Sequence, residues 1–188
     1  MSLRRARPLM YVGIDQSLTG FGLTFLLANG EHHTIVQKFD PKKYGPGVTR
    51  LIAIYDWLSH ELRKHELDEY IFHVCVEGYA NGAKFGREQA GELGGFVKLA
   101  LYDHGGIFPT IVKPTALKKY VTGSGAAKKN EILLGVYKRW AVDFRDDNAA
   151  DSYGLARIAE AIHTGKTQFK YEREVISALT PYTEQPHS

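Results

Sequence analysis

The sequence predicts an α/β protein built on a mixed β-sheet with helices covering it. Three apolar runs come first, and their short links predict an antiparallel meander. Helical and strand patterns then alternate, which is typical of strands joined by crossover helices. With 188 residues, of which 44% are hydrophobic and 24% charged, the chain is expected to form one domain with an ordinary core.

The first three strands are predicted from apolar runs bounded by turn residues. The first run reaches Asp15, and after a tight turn the second covers residues 21–28. The dipeptide Asn29-Gly30 is a strong hairpin signal and leads to a third strand at residues 34–39.

Helices and strands are predicted to alternate over the rest of the chain. Apolar residues recur at helical spacing over residues 48–62, and a fourth strand covers residues 70–76. The remaining predicted elements are a glycine-containing helix at 85–104, a fifth strand at 107–112, and helices at 128–140 and 148–163. This order gives a mixed five-stranded sheet.

Both ends of the sequence are predicted to lie outside the folded domain. Residues 1–9 have the composition of a flexible basic arm and residues 165–188 that of a polar tail, which leaves residues 10–164 as the domain. The sequence shows neither a signal-peptide segment nor an apolar run of membrane-spanning length. The single cysteine, Cys75, lies in an apolar run and is expected to be a buried structural thiol. We therefore expect a cytoplasmic protein with no membrane partner.

Positive charge is concentrated in one segment of the chain. The net charge of the whole chain is +3, yet residues 105–140 contain seven basic residues and one acid, so the rest of the chain is net negative. The basic residues are Lys113, Lys118, Lys119, Lys128, Lys129, Lys138 and Arg139. This distribution favours a surface that contacts the phosphates of a nucleic acid, although a solvated helical face has a similar composition.

Several acidic residues stand where the predicted elements can bring them together. Asp15 and Glu77 each end an apolar strand, and these strands can be neighbours. Asp151 heads the inward stripe of the last helix, with Asp147 and Asn148 four and three residues earlier on the same face. Buried carboxylates that converge in this way repel one another unless a cation neutralises them. The alternative for Asp15 alone is a turn residue that caps its own hairpin.

The predicted ligands are all oxygen atoms, which favours Mg²⁺ or Mn²⁺. Two such ions a few ångströms apart form a phosphodiester hydrolysis site, in which one activates water and the other stabilises the leaving oxygen. No Cys or His grouping has the spacing of a zinc site. No small-molecule cofactor is expected.

Four short segments occur in an order that matches a known family. They are Gly13-Ile14-Asp15 with Thr19-Gly20-Phe21-Gly22, then Val76-Glu77, residues 121–129, and residues 147–156. In this order they resemble the RuvC-like Holliday junction resolvases of the RNase H-like superfamily, especially phage-encoded members. The resemblance extends from residue 12 to about residue 162, and it implies a protein of the bacterial or phage-infected host cytoplasm.

The resemblance implies an RNase H-like fold with an Asp-Glu-Asp-Asp metal site. Asp15, Glu77 and Asp151 match the family motif directly. The family has Asp or His three residues before the last Asp, where this chain has Asn148. The fourth ligand is therefore either Asn148 or, after a one-residue shift, Asp147. We favour Asp147, because it adds the charge needed to neutralise two cations.

The resemblance also implies which residues contact DNA. Lys118 and Lys129 match lysines that the family places near the scissile phosphate, and Lys113 and Lys128 lie in the same basic segment. The glycine-rich loop at residues 122–125 can approach a phosphate closely.

Two aromatic residues follow Glu77 and offer contacts to bases. Tyr79 and Phe85 can wedge between unpaired bases at a junction, or they can simply pack at the start of a helix.

The expected activity is that of a structure-selective endonuclease that resolves four-way DNA junctions as a homodimer. Paired nicks in two equivalent strands require two equivalent sites, and the glycine-rich helix is the expected dimer surface. The alternatives are an RNase H-like nuclease for other branched DNA or RNA–DNA hybrids, and a non-catalytic nucleic-acid-binding module. An actin-like kinase would need a duplicated domain that 188 residues do not supply.

Overall fold

The computed structural model describes residues 7–67, 69–79 and 87–179 and shows a five-stranded sheet with helices on both faces. In chain order, its elements are β1 (Leu9–Asp15), β2 (Gly20–Leu27), β3 (His32–Lys38), α1 (Pro41–Tyr44), α2 (Val48–Arg63), β4 (Ile71–Glu77), α3 (Arg87–Gly105), β5 (Thr110–Val112), α4 (Pro114–Thr122), α5 (Lys129–Trp140), α6 (Asp147–Thr164) and α7 (Lys170–Ala178). None of the described helices is long and apolar enough to cross a membrane.

The sheet has the strand order β3-β2-β1-β4-β5. Strands β1, β2 and β3 form an antiparallel meander, and β4 and β5 continue the sheet parallel to β1. The predicted mixed five-stranded sheet is therefore confirmed. The fifth strand is shorter than predicted, since only Thr110–Val112 pair with β4.

Two hydrophobic cores lie on opposite faces of the sheet. One core joins α2 and α3 to side chains such as Val12 and Ile14 of β1. The other joins α4, α5 and α6 to Tyr11 and Cys75, which is buried as expected. Alternate residues of β1 thus serve different cores, as the two-residue period of a strand requires.

Helix α6 lies directly on the sheet because glycines face it. A side chain at Gly13 would run into the backbone of α6 at Ser152 and Ala156, and one at Gly22 would run into the carbonyl of Asn148. The close approach fixes the first turns of α6 against the ends of β1 and β2, where the acidic residues lie.

Three helices were not predicted from the sequence: the one-turn helix α1, helix α4 and helix α7. Helix α4 begins at a proline, buries Leu117, Tyr120 and Val121, and ends at Gly123, which adopts the left-handed conformation that glycine tolerates. Helix α7 falls within the segment described above as a tail. Its buried Glu172 is paired with Arg139 of α5.

Candidate active site

Asp15 and Glu77 lie side by side at the carboxyl ends of two parallel strands. The register pairs Ile14 with Val76, so the next residues of β1 and β4 are neighbours, as predicted. The two carboxyl groups are close enough to interact directly, and each affects the pKa of its neighbour. Burial raises the pKa of both groups, and for Asp15 the charge of Glu77 raises it further.

Asp151 faces this pair from the second turn of α6. Burial, followed by the charges of Asp15 and Asp147, raises its pKa to about 7. Its Oδ1 atom is buried and has no hydrogen-bond partner among the described residues. An unpaired buried carboxylate oxygen is unfavourable in a protein interior, so Asp151 is suited to an additional cationic partner.

Asp147 stands at the first position of α6 and also faces the site. Its charge raises the pKa of Asp15 and of Asp151. Its own carboxylate is ion-paired with Lys129, and this contact lowers its pKa.

Asn148 is engaged elsewhere in the same turn of α6. Its side-chain Nδ2 donates to Oδ1 of Asp146 over 3.1 Å, while the backbone N–H of Asn148 donates to the same atom over 2.9 Å. Asp146 is thereby the N-cap of α6. The amide of Asn148 also packs beneath Gly20, where any Cβ atom would stand 2.9 Å from Nδ2. Of the two candidates for a fourth ligand, Asp147 thus has the charge that acts on the other carboxylates.

The acidic residues offer the oxygen donors that a divalent cation prefers. As the side chains stand, no group of three or more His, Cys, Asp and Glu residues in the described part of the chain forms a metal-binding cluster. The donors are nevertheless all carboxylate oxygens, and one of them is buried without a hydrogen-bond partner among the described residues. The buried carboxyl groups of Asp15 and Glu77 also repel each other when both are ionised. A divalent cation can neutralise that repulsion, so the donor set suits Mg²⁺ or Mn²⁺.

Two of the predicted lysines lie beside the carboxylates. The charges of Lys118 on α4 and Lys129 on α5 both lower the pKa of Glu77 and of Asp151, against the stronger effect of burial. Lys128 is exposed at the N-cap of α5. Lys113, at the N-cap of α4, lines a separate cleft next to β5 and α7.

Tyr79 and Gln16 connect the site to helix α3. The Nε2 atom of Gln16 donates to the carbonyl of Glu77 over 2.7 Å. The side chain of Gln16 also lies next to the hydroxyl of Tyr79. That hydroxyl packs against Gly94, and 42% of Tyr79 remains exposed. Gln16 was not singled out from the sequence, although a polar residue directly after Asp15 is a signal for a contact at the strand end. The predicted contact Phe85 lies outside the described residues.

Comparisons with known proteins find similar sequences and similar structures, and those described here are all RuvC proteins. No protein-family model matches the chain. Two curated relatives, from Rhodopseudomonas palustris strains TIE-1 and ATCC BAA-98 / CGA009, are each 29% identical over 166 residues, which cover 86% of this chain and 92% of the relative. Both relatives are named crossover junction endodeoxyribonuclease RuvC.

Solved structures of Thermus thermophilus RuvC share the fold. One covers 84% of this chain and 96% of its own, and another, in complex with a Holliday junction substrate, covers 94% and 99%. Both have a TM-score of 0.65 and 22% sequence identity. The sheet order and flanking helices described above are thus those of an RNase H-like fold. The resemblance noted in the motifs is confirmed over most of the sequence, because the chain is similar to curated RuvC proteins over 86% of its length.

Proposed function

We propose that the protein is a metal-dependent endonuclease that resolves four-way DNA junctions. The observation that carries the proposal is the meeting of Asp15, Glu77 and Asp151 at one edge of the sheet, with Lys118 and Lys129 beside them. The curated relatives, which are named as crossover junction endodeoxyribonucleases, support the same activity.

The acidic residues would hold the catalytic ions. Asp15, Glu77, Asp147 and Asp151 supply four carboxylates, enough for two divalent cations. Bound there, such ions supply an activated water and stabilise the leaving oxygen of the phosphodiester. Because burial raises the pKa of Asp15 and Glu77, both groups must lose protons at higher pH than usual to act as ligands, so we expect activity to rise with pH through neutrality.

The lysines would position the scissile phosphate. Lys118 and Lys129 present ammonium groups next to the carboxylates and neutralise charge on the phosphate as it is attacked. Lys113 and Lys128 extend the basic surface around the loop at residues 123–125, where backbone can approach DNA closely. Tyr79 would be a contact for a base, because 42% of the residue is exposed.

A homodimer would supply the two equivalent sites that paired nicks require. Gly91, Gly95, Leu99 and Tyr102 recur at helical spacing along one face of α3. Leu99 and Tyr102 are 48% and 56% exposed, and a Cβ atom at either glycine would meet nothing within 4 Å. An exposed apolar stripe with small residues suits close packing against the same helix of a second copy. We propose this face as the dimer surface.

The proposal is tested with a panel of synthetic substrates in Mg²⁺. A four-way junction, a replication fork, matched duplex DNA and an RNA–DNA hybrid are incubated with the protein and the products are sized. We expect cleavage of the junction, with nicks at symmetric positions in two strands. Preferential cleavage of the hybrid or the fork would replace the proposed substrate, and binding without cleavage of any substrate would indicate a non-catalytic module.

A further inference from the structure

Lys129 is placed at the active site by acidic residues rather than by its own helix. It is the first residue of α5 and follows the N-cap Lys128. Positive charge at a helix N-terminus is unfavourable, because the helix dipole is positive there. The ammonium group instead pairs with Asp147, and the charges of Asp147, Asp151 and Asp15 raise the pKa of Lys129.

The contact between Lys129 and Asp147 can be exchanged at little cost. The side chain of Lys129 is 78% exposed and that of Asp147 is 31% exposed. An ion pair that is this exposed to water contributes little to the stability of the fold, so breaking it costs little free energy. The same Asp147 carboxylate is the fourth ligand favoured above, so the ammonium group of Lys129 and a metal ion would compete to bind it.

Lys118 provides a contrast within the same site. Its charge acts on Glu77 and Asp151, as that of Lys129 does. Among the ion pairs of the described residues, however, none involves Lys118. Lys118 therefore acts on the site only through its charge, whereas Lys129 forms an ion pair with one particular carboxylate, that of Asp147.

We propose that Lys129 is an exchangeable counter-ion, which a divalent cation displaces from Asp147 and which then binds a phosphate of the DNA. The inference rests on the proposed function, because it takes Asp147 as a metal ligand. It adds a coupling between two binding events. If the cation frees Lys129 for phosphate, then by linkage bound phosphate must favour the cation by the same factor.

The test is a double-mutant cycle on metal affinity without DNA. Isothermal titration calorimetry with MgCl₂, and with MnCl₂ as a second probe, is carried out on the full chain and on Lys129→Ala, Asp147→Asn and the double variant. Lys118→Ala serves as the control for charge alone, and thermal unfolding confirms that each variant is folded. We expect Lys129→Ala to bind the cation about two- to fivefold more tightly, which matches the range for an exposed ion pair. In the Asp147→Asn background, the same substitution should change the affinity by much less.

The outcomes separate this inference from the proposed function. An equal gain from Lys129→Ala with and without Asp147 would show that the lysine acts only through its field, as Lys118 does, and would overturn the proposal. Unchanged or weaker binding by Lys129→Ala would overturn it as well. If the unaltered chain binds neither cation, the proposed function fails first and the counter-ion role fails with it.

Discussion

The structure predicts that removing an active-site carboxylate stabilises the protein when no divalent cation is present. Asp15 is 6% exposed, and burial together with the charge of Glu77 raises its pKa from 3.8 to about 9. In the unfolded chain the same group ionises near its ordinary value. Asp15→Asn replaces the protonated carboxyl with a neutral side chain of the same shape, which does not have to gain a proton on folding.

The magnitude follows from the pKa of Asp15. At pH 7 the folded state must hold a proton that the unfolded state has lost, and each pH unit above the ordinary pKa of 3.8 costs about 1.4 kcal/mol. The upper bound is therefore about 4 kcal/mol, and relaxation of the site should reduce the observed gain to about 2 kcal/mol. For a chain of this length, that corresponds to a rise in Tm of about 4–8 °C.

The pH dependence provides a check on the sign. Because the folded-state pKa is raised, the contribution of Asp15 to stability is fully present below its unfolded pKa and is lost as pH rises towards 9. The advantage of Asp15→Asn should therefore be small at pH 4 and large at pH 8. The assay is thermal unfolding in a chelator across this range, with the exposed Asp143→Asn as the control. A variant that is less stable than the unaltered chain at pH 8, or equally favoured at pH 4, would refute the reasoning.

Three further predictions concern the fourth ligand, the DNA surface and the packing of α6. Asp147→Asn should raise the Mg²⁺ concentration needed for half-maximal cleavage about tenfold, whereas Asn148→Ala should raise it much less; the reverse order, measured by metal titration, would restore Asn148 as the ligand. Lys118→Ala should reduce the slope of log affinity against log salt for junction binding by about one, while Lys166→Ala, beyond the far end of α6, leaves the slope unchanged; equal slopes for both variants would remove Lys118 from the DNA surface. Gly13→Ala should lower the free energy of unfolding by about 3 kcal/mol in urea denaturation, because its Cβ would collide with the backbone of α6; a change below about 1 kcal/mol would show that α6 moves away easily.

The sheet and the meeting of its acidic residues could be predicted because they depend on local patterns. Apolar runs that stop at Asp15 and Glu77 identify two strand ends, and parallel neighbours bring such ends to one edge of a sheet. The placement of Asp151 followed from helical spacing in α6. These inferences need the periodicity of each element and the order of elements along the chain, and both can be read directly from the sequence.

Features that depend on distant partners could not be predicted. Helix α7 is polar, and one of its contacts with the domain is a buried ion pair between Glu172 and Arg139, 33 residues apart. Helix α4 follows a proline and carries lysines between its buried residues, so its apolar stripe is short. The pairing of Lys129 with Asp147 likewise depends on how α5 meets α6, for which the sequence contains no local signal.

The most direct test of the proposed activity separates binding from cleavage at Glu77. The unaltered chain and Glu77→Gln are compared on one labelled four-way junction, with the Kd measured in a chelator and cleavage measured after addition of Mg²⁺. If the carboxylates hold the metal and the lysines hold the phosphates, Glu77→Gln binds the junction at least as tightly as the unaltered chain and leaves it uncut, while the unaltered chain cuts it in symmetric pairs. Cleavage by Glu77→Gln at the normal rate, or loss of binding in parallel with loss of cleavage in a folded variant, would contradict that division of roles.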